Sequence, residues 1–167
     1  MGTSAIKVND TLNLLTDQDM ELWRFRRALP LLQKYGDICI NGPFPEGTGC
    51  PQLPPTTRCY DAAFEAARDH DLDYWEGFLL FKLPDGESAI MAHGWCCVKE
   101  TKVVVDPTMH RCQGAKEIMY FGVPIKKEYQ QAWSDSVGYY GVLDGVPSGD
   151  AVGVYLDPPE KWLDKTI

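Results

Sequence analysis

The sequence predicts an α+β fold, with N-terminal helices packed on a small antiparallel sheet. Three observations lead there. Leu22, Phe25, Leu29 and Leu32 recur at helical spacing. A second, alanine-rich segment, CYDAAFEAARDH at 59–70, has the composition of a good helix. Three β-type runs then follow one another across short turns: DYWEGFLLFKL, SAIMAHGWCCVK and TKVVVDPT. Helices first and strands afterwards is the order of an α+β domain, and 167 residues suffice for one domain with its own core.

Each element has local reasons. Thr16 is a candidate N-cap for a helix running from Asp17 to about Tyr35, and Gly36 is a natural stop. Pro30 either interrupts that helix or starts a second one. Residues 41–57 hold five prolines and three glycines, which excludes regular structure; a loop this long is expected to be ordered near a site. Pro54 and Pro55 lead into the second helix, with Thr56 or Thr57 able to cap it. Pro84-Asp85-Gly86 turns the first hairpin and Lys99-Glu100 the second, so the strands are expected to form a meander. A short strand is expected within 117–125, a helix over 126–136, another strand near 152–156 and a short helix opened by Pro158-Pro159.

Composition narrows the function. Net charge is −8, so a general affinity for nucleic acid or anionic lipid is not expected. No 18-residue apolar run offers a membrane span. Met1 to Leu15 lack the apolar stretch of a secretory signal, so a cytoplasmic setting with mostly reduced thiols is expected for the six cysteines.

The chemistry-bearing residues are Cys59, His93 and Asp106. Cys59 sits about two residues inside a helix start, where the partial positive charge and free N–H groups favour a thiolate. If the second hairpin is centred on Lys99-Glu100, residue 93 faces residue 106. Directly opposed side chains share a face at about 4.5–5.5 Å between Cβ atoms. An Asp there accepts from one imidazole nitrogen and leaves the other for the thiol.

The segments R-C-Y at 58–60, A-H-G-W at 92–95 and V-V-D-P-T at 104–108 resemble the three core motifs of the transglutaminase-like branch of the papain-like cysteine hydrolases. The A-H-x-W form also resembles the transglutaminase-like peptidases that process leader peptides, with Gly94 standing where Ala is frequent. The resemblance covers roughly residues 56–110 and leaves the N-terminal helix and the last 45 or so residues unexplained; the chain is expected to be one papain/transglutaminase-like domain over 1–167, with its core in 56–125. The resemblance implies Cys59 as nucleophile, His93 as general base and acid, and Asp106 as orienter. Gln52, near where papain-like peptidases keep a glutamine, is the candidate oxyanion donor; Asn41 and Trp95 are alternatives. Trp95 and Tyr74 are candidates for a substrate groove, against a competing reading that places such aromatics in the core.

The expected activity is cysteine-dependent acyl transfer through a thioester on Cys59, with hydrolysis of a peptide or side-chain amide favoured. An amine acceptor would make a transglutaminase or another acyltransferase; a non-catalytic binding or inhibitory protein on the same fold is the third reading. The expected partner is a protein, peptide or small amide substrate. No metal or organic cofactor is required. Zinc at His93, Cys96, Cys97, His110 and Cys112 is disfavoured, because adjacent Cys96 and Cys97 would point to opposite faces of a strand. The acidic run 69–73 lacks calcium-loop spacing and reads as a solvated turn.

Overall fold

In a computed structural model, the structure describes residues 28–42, 47–53, 58–109, 114–138, 141–143 and 157–164. The chain is α+β: four helices and a five-stranded antiparallel sheet among those residues. Helix α1 (Leu29–Tyr35) carries Pro30 in its first turn and ends on Gly36, whose N–H donates to Leu32 O. The expected turns before it, with the Thr16 cap, lie outside the described residues, as does the expected strand at 152–156.

Strand β1 (Asp37–Cys39) was not expected from the sequence, since three residues carry no readable period. Helix α2 (Cys59–Asp69), strands β2 (Asp73–Lys82), β3 (Ser88–Val98) and β4 (Val103–Val105), and strand β5 (Lys116–Ile125) follow. Helix α3 (Lys127–Val137) and the short α4 (Pro159–Trp162) complete the order.

The expected antiparallel meander is present as β2-β3-β4, and the sheet extends beyond it. Its order is β1-β5-β2-β3-β4, because β5 returns to the free edge of β2. Strand β2 is thereby central, and Asp73 through Leu79 are buried without alternation. That follows when both faces of a strand are covered. On one face Tyr74, Phe78, Cys96, Phe121, Val123 and Ile125 pack against Ala63, Phe64, Ala66 and Ala67 of α2. Small alanines let the helix lie close to the sheet, and burial of Phe64 contributes about 1.5–3 kcal/mol. The other face is the inside of the curl, filled by Cys39, Trp75, Leu79, Trp95, Cys97, Val104 and Tyr120.

The curl is tight enough for the two outer strands to meet. Ile40, just past β1, bridges Val103 of β4 in parallel: its N–H donates to Lys102 O at 2.8 Å, and its carbonyl accepts from Val104 N at 3.0 Å. Gly77 and Gly122, paired across β2 and β5, permit this curvature. A Cβ on Gly77 would lie 2.2 Å from Phe121 O, and one on Gly122 would lie 2.3 Å from Glu76 O. Only a residue without a side chain fits such an approach.

Two aromatic residues proposed for a groove are corrected here. Trp95 is fully buried inside the curl, its ring 6.4 Å from Trp75 and 5.3 Å from Tyr120. Tyr74 is buried on the helix side, edge-on to Phe64, with its hydroxyl on Glu76. Neither is open to a substrate. Both belong to the core because β2 and β3 are interior strands.

Candidate active site

Cys59 is the first residue of α2. Its N-cap is Arg58, in extended conformation with no side-chain cap bond, while Thr56 and Thr57 lie outside the described residues. The Arg58 guanidinium is turned to Asp61 at 2.7 Å. Positive potential at the helix start is therefore chiefly that of the backbone N–H groups. Cys59 is part-exposed, whereas the other described cysteines, Cys39, Cys50, Cys96 and Cys97, are buried; all five are free thiols.

Gly94 explains how the helix start reaches the sheet. A Cβ there would lie 2.7 Å from a Tyr60 ring carbon and 3.2 Å from the Tyr60 Cα. The first turn of α2 thus rests directly on β3, beside His93. Gly94→Ala is expected to push that turn outward, costing about 1–3 kcal/mol as overpacking does. It should slow iodoacetamide alkylation of Cys59 at pH 6 roughly tenfold, a loss of about 1.4 kcal/mol in barrier terms. A urea titration and a timed alkylation series check the two numbers.

His93 and Asp106 meet, although not by the register that the sequence suggested. The ladder between β3 and β4 pairs Cys96 with Val105, Cys97 with Val104 and Val98 with Val103. Continued, it sets Asp106 opposite Trp95 rather than opposite His93. The cause is a four-residue turn, 99–102, in which Glu100 and Lys102 take positive φ. The slip is by two residues, so the pleat keeps both side chains on the inner face as diagonal neighbours. His93 Nε2 and Asp106 Oδ2 lie 2.7 Å apart, both side chains buried.

The carboxylate of Asp106 is fully engaged. Oδ1 accepts from Thr108 N at 2.8 Å and from Thr108 Oγ1 at 2.9 Å. Oδ2 accepts from the Tyr120 hydroxyl at 2.8 Å as well as from His93. Burial alone would raise the Asp106 pKa, but the His93 charge and these donors outweigh it and hold the carboxyl below its usual value. Burial alone would lower the His93 pKa; the Asp106 charge and hydrogen bond, with Cys59 adding in the same sense, push it up to about 10. His93 Nδ1 is buried with no hydrogen-bond partner, and Cys59 is the thiol whose proximity helps to raise the pKa of this ring.

Gln52 reaches the same place from the loop before α2. Its Nε2 donates to the Asp106 carbonyl at 3.0 Å, and Leu53 N donates to Pro107 O at 2.8 Å. One amide hydrogen of Gln52 is thus spent on the backbone of the acid. Asn41 donates to Ile118 O at 3.2 Å, at the seam of the curl. Cys96 points to the helix side, donating to Ala63 O at 2.9 Å, and Cys97 points inside, as expected for neighbours on a strand. Among the described residues no group of three His, Cys, Asp or Glu side chains is placed to hold a metal. His110 and Cys112 lie outside them.

Three contributors escaped the sequence reading. Thr108 was signalled, since an Asp followed two residues later by a turn N–H is a common Asx arrangement. Tyr120 carried no local signal, because it comes from β5. Glu76 is the third: fully buried, it accepts from Tyr74 Oη at 2.8 Å, from Val142 N at 2.8 Å and from Leu143 N at 2.8 Å. It faces Gly94 across β2 and β3 and so ties residues 141–143 to the sheet close to the helix start.

No family model, no curated protein and no solved structure matches this chain.

Proposed function

We propose that the protein is a cysteine hydrolase of papain/transglutaminase-like kind, acting on a peptide bond or a side-chain amide. One observation carries the reading: a part-exposed cysteine at the start of a helix acts on a buried histidine whose other nitrogen is held by a four-fold hydrogen-bonded aspartate. Cys59 sulfur attacks the acyl carbon as the carbonyl electron pair moves to oxygen. The helix-start N–H groups and the second amide hydrogen of Gln52 are the donors available to that oxyanion. The imidazolium of His93 then gives its proton to the leaving amine, and the C–N bond breaks to leave a thioester. Water, deprotonated by His93, attacks the thioester and releases the acid. Asp106 keeps the ring oriented and its positive charge stabilised throughout.

The chain is expected to add one carbamidomethyl group at Cys59 when treated with iodoacetamide at pH 6. The rate there should exceed that of every other described cysteine at least tenfold, since those four are buried. Peptide mapping by mass spectrometry after timed quenching reads this directly. Equal labelling of Cys59 and the buried thiols would remove the basis for an activated nucleophile. Amide substrates offered with and without a primary amine separate hydrolysis from transfer by product mass, and no turnover with a reactive Cys59 would favour a binding protein.

A further inference from the structure

We propose that Tyr120 is a positioning residue that keeps the shared proton on His93 rather than on Asp106. The inference deepens the reading of Cys59 as the nucleophile and rests on it. Tyr120 is fully buried on β5, and its hydroxyl meets the same oxygen, Oδ2, that faces His93 Nε2. Its ring also lies 6.2 Å from the imidazole, so it packs against the base while donating to the acid.

The chemistry turns on that shared oxygen. A carboxylate 2.7 Å from an imidazolium nitrogen can take the proton outright. Both groups would then be neutral, and the positive charge that supports a thiolate at Cys59 would be gone. A donor on Oδ2 withdraws electron density from the atom that would accept the proton, and it favours the charged carboxylate. Thr108 acts on Oδ1 and leaves Oδ2 alone. Tyr120 is therefore the described side chain, apart from His93 itself, that tunes the reactive oxygen. The other titratable groups acting near Asp106 are Cys50 from the loop before α2, Cys96 on the far face of β3, and Cys59 through His93. Each is a thiol whose charge would oppose the carboxylate, so none replaces the phenol.

The sheet makes the contact possible. Between β5 and β3 stands Gly77, paired with Gly122 on one side and with His93 on the other. With no side chains on those two glycines, the phenol crosses the inside of the curl to the acid.

Tyr120→Phe keeps the ring and removes the donor. The Asp106 carboxyl should then protonate at a pH about one unit higher, a tenfold gain in proton affinity. Followed by the ¹³C resonance of the Asp106 carboxyl, that titration should move upward in Tyr120→Phe. In protein made with 3-fluorotyrosine, a stronger donor, it should move downward. Iodoacetamide alkylation of Cys59 should fall severalfold at pH 3.5, where the raised carboxyl takes up its proton, and less than twofold at pH 8. An unmoved carboxyl titration, or a fall of equal size at both pH values, would reduce Tyr120 to packing. The fluorinated protein carries the test should Tyr120→Phe fail to fold. Absence of selective Cys59 labelling in the unaltered protein would instead overturn the nucleophile, and the carboxyl titration remains readable in that event.

Discussion

Asp106→Ala should lower both stability and Cys59 reactivity more than any other single change at the site. The substitution leaves His93 Nε2, Tyr120 Oη, Thr108 N and Thr108 Oγ1 without their acceptor in a buried setting. Removing one partner of a buried charge pair costs about 3–5 kcal/mol. The imidazolium also loses its counter-charge, so Cys59 alkylation at pH 6 is expected to fall on the order of 10²-fold, less than the loss of about 10⁴ in turnover when the orienting acid of such a triad is replaced. Asp106→Asn preserves the volume and isolates the electrostatic part. Its single acceptor oxygen cannot serve both Thr108 and the His93–Tyr120 side, so reactivity should fall nearly as far while the stability loss is smaller.

The same pair gives the stability a pH signature. Asp106 has a folded pKa below its ordinary value, so its contribution is present above about pH 4 and is lost as pH falls through the folded value. His93 is raised from 6.5 to about 10, so its contribution is complete below pH 6.5 and is lost as pH rises through about 10. The stability difference between the unaltered protein and Asp106→Ala should therefore be largest from about pH 4 to 6.5 and shrink beyond either end. Urea unfolding across pH 3–10 measures it, and a difference independent of pH would dissociate the pair from both shifts.

The second large effect belongs to a residue away from the chemistry. Glu76→Ala should destabilise the fold by about 3–5 kcal/mol, because a buried phenol and two backbone N–H groups lose their acceptor together. Hydrogen exchange at the Val142 and Leu143 amides should accelerate sharply, while Cys59, held by α2 and Gly94, stays selectively alkylated. Glu76→Gln retains one acceptor and should cost about 1–3 kcal/mol. If exchange at both amides is unchanged in Glu76→Ala, the carboxylate does not anchor that segment.

These residues also mark where sequence reading succeeds and where it stops. The start of α2 was legible because proline entry and alanine composition are local signals, and they place Cys59 without reference to the rest of the chain. The pairing of His93 with Asp106 was legible as a shared face but not as a register. An error of two residues in the turn leaves the pleat unchanged, whereas an error of one would have sent Asp106 to the helix side. Strand β1 was hidden because it has three residues, of which only Cys39 is buried, too few to show a period. Tyr120 and Glu76 were hidden for a different reason. Glu76 meets backbone 66 and 67 positions away, Tyr120 reaches Asp106 only because β5 returns beside β2, and no period in the sequence records which strand will lie there. Tyr74 and Trp95 misled for the same cause, since β-type aromatics look alike whether a strand is central or at an edge.

The joining of β1 to β4 through Ile40 has a temporal consequence. Cys59, His93 and Asp106 lie within 48 residues of one another, and the hairpin between β3 and β4 can form early. Their shared electrostatics cannot. Tyr120 reaches Asp106 only after β5 has threaded back beside β2, and the circle is sealed only when residue 40 finds residue 103. A chain still being made carries Cys59, His93 and Asp106 without the surroundings that hold the charge on the ring. Under the proposed function, the electrostatic setting of the thiol is therefore complete only when the circle closes.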